Sequence, residues 1–467
     1  MSSQRARSAD SEGTRGAWRR IALAWLAFGL AACGASGGEP RNVVLLVIDT
    51  LRADHLGLYG YERPTSPQID AWAARGAVFD RAMATSPWTL PSFGSLFTGQ
   101  LPSRHTAGFL GATSGGERGF VTLDASVRSL AEILGEAGYA TVAIANNPFL
   151  DPEFEISRGF EVYDHEPGSE GEIRRANAIV DRAFDWLDHR SDARPFLMLV
   201  HFFDPHINYD PPDGVRGRFA GDYAGPLESP ISDLKAIRAG RIPLGARDRA
   251  FIVSTYDEEI LFVDAQAGRL LAGLRSRGCL EDTIVVLVSD HGEEFWDHGG
   301  FEHGHSMFQE LLRVPMIVWG PGIPPQRIAE PVSIADVFPT ALEALGLPAV
   351  EALASRSLWG VLTRGEAPPV QDLIAEGNLY GPEHKSLIRW PHKLVFDVES
   401  RRAKLFDLEA DPSETRDIAA AQPALAKALL SALDAQLREA SLARMQHRAA
   451  DLDESTKEKL RALGYLD

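Results

Sequence analysis

The feature that most constrains this chain is a set of four short apolar runs, each ending in a residue able to bind a metal or move a proton. Val43–Ile48 runs into Asp49, and Ala140–Ala145 into Asn146 and Asn147. Phe196–Val200 runs into His201, with Asp204 and His206 close behind, and Ile284–Val288 runs into Ser289, Asp290 and His291. Runs this short, with no polar alternation, describe strands buried on both faces, the pattern of a parallel sheet. Between them lie segments of helical period: Val127, Leu130, Ala131 and Leu134 on one stripe, and Ile173, Ala176, Val180, Phe184 and Leu187 on another. The alternation predicts an α/β fold, a large and mostly parallel sheet flanked by helices. Ligands bind such sheets outside the carboxyl ends of the strands. One strand ending in a catalytic-type residue is chance; four make a site.

After about residue 350 the texture changes. Lys393-Leu394-Val395-Phe396 and Lys404-Leu405-Phe406-Asp407 read as a hairpin, followed by a helical segment over Ala424–Ala440. The expected organisation is therefore a catalytic α/β unit over 34–350 and a smaller C-terminal α+β subdomain over 351–467, packed beside it. With 45% of its 467 residues apolar, the chain can fill both cores. A net charge of −18 argues against a nucleic-acid partner, which needs a basic stripe.

Residues 1–33 read as a signal rather than as fold. Arg19 and Arg20 precede the apolar run Ile21–Leu30, which ends in Leu30-Ala31-Ala32-Cys33-Gly34. A basic region, a short apolar run and small residues before a cleavage point define a secretory signal, and the run is short for a bilayer span. A Cys directly after Leu-Ala-Ala resembles a bacterial lipobox, which implies cleavage before Cys33 and acylation of its thiol. The expected location is the bacterial cell envelope, as a periplasmic or outer-membrane lipoprotein; an ordinary signal peptide with an incidental Cys is the alternative. The second cysteine, Cys279, then has no disulfide partner in the chain.

Three elements carry the chemistry. Asp49 and the pair Asp290-His291 bring two carboxylates and an imidazole to one edge, a set that suits a divalent cation. Either carboxylate alone reads better as a helix cap, and only the convergence of both favours the metal. Gly292, which follows His291, permits close backbone approach. The third element is Thr89-Leu90-Pro91-Ser92-Phe93-Gly94-Ser95-Leu96-Phe97-Thr98-Gly99, where Pro91 and Gly99 punctuate a helix. Thr89 falls at its positive N-terminus, where free N–H groups hold an anion. A metal-bound hydroxyl there is a nucleophile for phosphorus or sulfur. Spacing alone leaves that reading level with Thr89 as a simple N-cap.

The stretches Asn42 to Gly60, Thr89 to His105, Gly138 to Asp164, His201 to Pro212, Ser289 to Pro315 and Leu405 to Ala419 together resemble the sulfatase family of the alkaline-phosphatase superfamily. The resemblance spans almost all of residues 41–467. It implies metal ligands at Asp49, Asp290 and His291, a metal-bound nucleophile at Thr89, and histidines beside the substrate at His206 and His303. Asn146 and His305 join these as candidate substrate-binding groups.

Departures from the family pattern are as informative. Sulfatases carry Cys-x-Pro-x-Arg, whose Cys becomes formylglycine; the matching positions here are Thr89 and Phe93. Threonine cannot give that aldehyde, because its β-carbon already bears a methyl group. Gln100-Leu101-Pro102-Ser103-Arg104 copies the motif's tail with Gln at the reacting position. Thr50 stands where a second aspartate is usual, and Ala145-Asn146-Asn147-Pro148-Phe149 replaces Gly-Lys-x-His. Several cations that clamp sulfate are thus absent.

The resemblance implies one divalent metal ion, with zinc or manganese favoured by His291 and calcium the family alternative. A second zinc on Asp204, His206, His303 and His305 is a weaker expectation. The function expected is hydrolysis of a sulfate- or phosphate-type ester by a Thr89 nucleophile, phosphoryl chemistry favoured. Asn146, His206 and His303 orient the substrate or protonate the leaving group. Transfer to an acceptor alcohol, a true arylsulfatase-like hydrolase without formylglycine, and a non-catalytic binding lipoprotein of the same fold are the rivals. The substrate is a small-molecule, glycan or lipid ester; Gly108–Gly119 and Gly214–Arg247 are expected to rim its pocket.

Overall fold

A computed structural model describes residues 41–466 except 113–117, 166–172, 230, 232–233, 239, 369 and 443–447. The predicted signal and lipobox, Cys33 included, lie outside the described residues. No helix among those described is long and apolar enough to cross a membrane.

The main sheet is built from β1 (Asn42–Ile48), β2 (Ala77–Met83), β3 (Ala140–Ile144), β4 (Val162–Asp164), β5 (Phe196–Phe202), β6 (Thr283–Val288), β7 (Arg313–Trp319), β8 (Gln326–Ile328) and β9 (Val332–Ser333). Their order is β8-β2-β7-β6-β1-β5-β3-β4, with β9 also on β2. Only β7 runs antiparallel to its neighbours β2 and β6. The four apolar runs that the sequence marks out are the contiguous parallel centre, β6-β1-β5-β3.

Their lack of alternation has a direct cause. Along β1, Val43, Leu45 and Val47 enter one core while Val44, Leu46 and Ile48 enter another, and all six are fully buried. Helices α2 (Thr89–Thr98), α3 (Leu130–Glu136) and α6 (Val337–Ala344) cover the first face. Helices α1 (Pro67–Ala73), α4 (Ala176–His189) and α5 (Ala246–Ser276) cover the second. The α3 stripe begins after Val127, where Ser129 and Glu132 close a capping box. In α4 the fully buried face is Ala176, Ile179, Val180 and Ala183, so Phe184 and Leu187 lie at its margin.

The 31-residue α5 is the element that hydrophobic period does not reveal. Its buried face carries Asp257, Glu258, Glu259 and Asp264, each of which takes hydrogen bonds from the surrounding chain. The Glu258 carboxylate accepts the N–H groups of Gly217, Phe219 and Ala220, which pins part of the 214–247 segment against α5.

The predicted hairpin exists within a four-stranded antiparallel sheet of β10 (Leu373–Glu376), β11 (His384–Arg389), β12 (His392–Asp397) and β13 (Arg402–Asp407). Leu394 pairs with Leu405 across it. Helix α7 (Pro423–Leu442) lays Leu429 and Leu433 on this sheet, in a core that also takes Leu101 from the main unit. A last helix, α8 (Glu454–Ala462), is capped by Asp453, whose carboxylate accepts the Thr456 N–H at 2.7 Å.

Candidate active site

Sheet register brings the acidic residues together. Val47 of β1 pairs with Val288 of β6, so Asp49 and Asp290 leave their strands at the same level. Ser289 knits the two ends: its hydroxyl accepts the Leu51 N–H at 2.9 Å and donates to His291 O at 2.7 Å. The following turn passes so close to the Gln309–Leu312 segment that a Cβ on Gly292 would lie 2.0 Å from Glu310 O. Glycine is required there, as its place beside Asp290-His291 suggests.

Asp49, Asp290 and His291 are fully buried. Among the described residues they form the one group of three His, Cys, Asp or Glu side chains whose ligand atoms all lie within 4.8 Å. His291 Nε2 stands 3.5 Å from Asp49 Oδ1 and 3.4 Å from Asp290 Oδ2. Both carboxylate oxygens are buried without a hydrogen-bond partner. The Nδ1–H of His291 is spent on Gly292 O at 2.9 Å, which leaves the Nε2 lone pair directed at the same point. Burial and the charge of Asp49 push the Asp290 carboxyl well above its usual range. Against the cost of burial, His206 and then His201 hold Asp49 below that range. Two carboxylates, each with one buried oxygen that lacks a partner, and an oriented imidazole fit a divalent cation.

Thr89 is the first residue of α2, following Trp88 in extended conformation. The whole helix is buried, and Gly99 closes it in left-handed conformation at φ 66°. Thr89 Oγ1 lies 3.3 Å from His291 Nε2. The amide of Asn147 bridges to it, donating to Asp49 Oδ2 at 2.6 Å while standing 3.3 Å from Thr89 Oγ1. Asn147 Oδ1 accepts the Phe149 N–H at 2.8 Å, which fixes the amide's orientation.

Sequence reasoning selected Asn146; the structure turns Asn146 towards Arg174 and points its neighbour Asn147 at Thr89. His305 pairs with Glu294 Oε2 at 2.7 Å and does not join the cradle. The Asp204 carboxylate accepts the Ala176 N–H at 2.9 Å, and Asp204, His206, His303 and His305 make no second metal group among the described residues. His201, not selected from sequence, stands 3.3 Å from Asp49 Oδ2, with its ring 5.4 Å edge-on from Phe93. Its one advance signal is its place at the end of β5.

His206 and His303 do converge on the site. Their ring centroids are 4.9 Å apart, and His303 lies 4.6 Å from His291. Burial lowers His206 to about 4. Burial, reinforced by the charge of His291, lowers His303 well below its usual value. Both are neutral at pH 7, and each has one nitrogen for a proton and one to receive it. The His303 ring is aligned by Glu293 Oε1, 2.9 Å from Nδ1, and burial raises that carboxyl to about 7.

Residues 41–347 match the family model described as Sulfatase. The chain belongs to the sulfatase family. It is a hydrolase of that family, whose members depend on a metal, and its carboxylate–imidazole cradle is able to hold one. The chain is 23% identical over 444 residues to an arylsulfatase of Clostridium perfringens, covering 81% of this chain and 90% of that one. It is 24% identical over 449 residues to a Delta 4,5-hexuronate-2-O-sulfatase of Bacteroides thetaiotaomicron, covering 84% and 87%. Its fold is shared with solved structures of a 2-O GAG sulfatase (TM-score 0.70, 20% identity, 91% and 96% covered) and of a phosphonate monoester hydrolase from Agrobacterium radiobacter (TM-score 0.69, 21% identity, 86% and 95% covered). The sulfatase neighbours thus include both sulfur and phosphorus chemistry.

Proposed function

We propose that this sulfatase-family hydrolase cleaves a phosphate- or phosphonate-type ester, with Thr89 as nucleophile and Asp49, Asp290 and His291 as the ligands of one zinc or manganese ion. The observation that carries this reading is the placement of Thr89 Oγ1, 3.3 Å from His291 Nε2, at the N-terminus of a buried helix. A divalent cation in the cradle would lower the pKa of the threonine hydroxyl and offset charge on the transferring group. The Asn147 amide, 3.3 Å from Oγ1, orients that hydroxyl. The α2 N-terminus offers backbone N–H groups to the anion. His206 Nε2, the unprotonated nitrogen of its ring, takes the Thr89 proton; Thr89 Oγ1 forms the new bond to phosphorus as the bond to the ester oxygen breaks, and His303 gives that oxygen its proton. Water then attacks the threonyl ester and regenerates the hydroxyl; an acceptor alcohol in its place makes the enzyme a transferase.

Phe93 and Thr50, where a sulfatase carries Arg and Asp, favour phosphoryl over sulfuryl transfer, and a phosphonate monoester hydrolase shares the fold. Sulfuric ester hydrolysis is the second reading, supported by the arylsulfatase relative. Metal analysis, joined to turnover of an aryl sulfate, an aryl phosphate, an aryl phosphodiester and an aryl phosphonate, decides between them. Turnover of the sulfate alone overturns the phosphoryl reading. Absence of turnover on all four after metal addition points to a binding protein.

We further propose that the protein is exported and held in the envelope by acylation of Cys33. Palmitate labelling of the full chain and of Cys33→Ser tests this; equal labelling overturns it.

A further inference from the structure

The two histidines beside Thr89 share a single partner, and it comes from the end of the chain. The Tyr465 hydroxyl lies 2.8 Å from His206 Nε2 and 2.9 Å from His303 Nε2. The other ring nitrogens are already committed, His206 Nδ1 to Ile207 O at 3.1 Å and His303 Nδ1 to Glu293. Nε2 is therefore the atom each histidine has left for a substrate, and one phenol engages both. A hydroxyl, with one proton and two lone pairs, is suited to that bridge.

The tyrosine is also packed into the wall formed by His206, His303 and Phe149. Tyr465 is 1% exposed, its ring centroid 4.7 Å from that of Phe149, and Asp49, Thr89, Asp290 and His291 are all 0% exposed. A substrate cannot reach Thr89 Oγ1 while these groups are sealed. Beside the seal is a cavity of about 380 Å³ with His206, Phe203 and Arg174 on one side and Lys459, Ala462 and Leu463 of the terminal segment on the other. The segment that closes the site is thus one wall of the adjoining space.

Few hydrogen bonds hold it to the rest of the molecule, and its anchoring is apolar, through Leu460, Leu463 and Tyr465 in the first core. Gly464, at φ 81°, turns the chain inward after α8, and the Tyr465 N–H returns to Leu460 O at 2.8 Å within the same segment. Beyond the two histidines, Tyr380 donates to Gly464 O at 3.3 Å.

We propose that Tyr465 is an internal mimic of the substrate's leaving group: its hydroxyl stands where the ester oxygen binds, its ring where the esterified group lies, and the segment after Leu463 swings out when substrate enters. This rests on the reading of His206 and His303 as substrate groups. Two variants of the metal-loaded protein test it, Tyr465→Phe, which keeps the ring and loses the hydroxyl, and a chain ending at Leu463. Calorimetric titration with inorganic phosphate, steady-state kinetics on the best aryl ester, and hydrogen exchange of residues 460–466 are the readouts. In both variants the phosphate Kd and the KM fall about three- to ten-fold, the factor by which a closed tail depletes the competent state, with kcat no lower than in the parent. In the parent chain, phosphate speeds exchange at the Tyr465 amide. A kcat loss of more than ten-fold with unchanged phosphate Kd overturns the proposal and makes Tyr465 part of the machinery. Unchanged Kd, KM and exchange also overturn it. Phosphate binding to none of the three proteins defeats the functional reading as well, so the two failures are distinguishable.

Discussion

Thr89 Oγ1 and the Asn147 amide meet within 3.3 Å, so the loss of a few atoms at either residue is readable in the rate. Thr89→Ala is expected to lower kcat/KM by roughly four orders of magnitude or more, the scale for removal of a nucleophile, with an unchanged melting temperature. Retention of activity in that variant would sink the threonyl mechanism. Asn147→Ala, which strips one donor from Asp49 and from Thr89, should weaken metal affinity or kcat roughly 10- to 100-fold, read by metal titration and initial rates. Individual side chains are where sequence reading was least secure. An Asn-Asn pair after a strand contains one residue that faces the nucleophile, and only the turn after β3 selects Asn147 over Asn146. His201 gave less signal still, because a histidine at a strand end is equally a core residue until Asp49 is seen beside it.

Among the elements, α2 is buried along its whole length, and the main sheet's central strands are buried on both faces. Apolar continuity made the strands legible, and Pro91 and Gly99 made α2 so. Helix α5 was not legible, since its buried carboxylates are paired by chain segments distant in sequence: Asp264 accepts the N–H groups of Gln68 and Ile69. The small sheet was half legible: the pattern marked β12 and β13, and β10 and β11 emerged only from the pairing. Leu394 is fully buried between Leu387 and Leu405. Leu394→Ala is expected to cost roughly 2–5 kcal/mol in urea unfolding while kcat stays near the parent value. A matching fall in kcat would show that the small sheet does more than support the site.

For the molecule as a whole, metal and pH act on stability through buried groups. A ligand that binds only the folded state adds about 2.7 kcal/mol at one hundred times its Kd, so chelation of the cation should lower Tm, and excess zinc or manganese should restore it. An unchanged Tm after chelation would argue against the cradle. His105 is fully buried, and burial lowers it from 6.5 to about 4. Between those pH values the unfolded chain binds the extra proton. Folding stability therefore falls as pH drops through that window, by roughly 3 kcal/mol for this group, and is complete above it. In His105→Gln the difference between urea midpoints at pH 7 and pH 4.5 should shrink; an equal difference would assign the acid sensitivity elsewhere.

The order of apolar runs and the polar residues that end them determined the α/β class and the identities of Asp49, Asp290 and His291 as candidates, because burial on both faces and strand-end placement are local properties of the chain. Helix punctuation marked Thr89, and the joint resemblance of the motifs supplied the family. Tertiary structure alone decided which asparagine faces Thr89, that His305 turns to Glu294, and that the penultimate turn of the polypeptide brings Tyr465 onto His206 and His303. Those contacts join residues up to 259 positions apart. Contacts at that separation depend on how layers pack, and no local pattern of side chains encodes them.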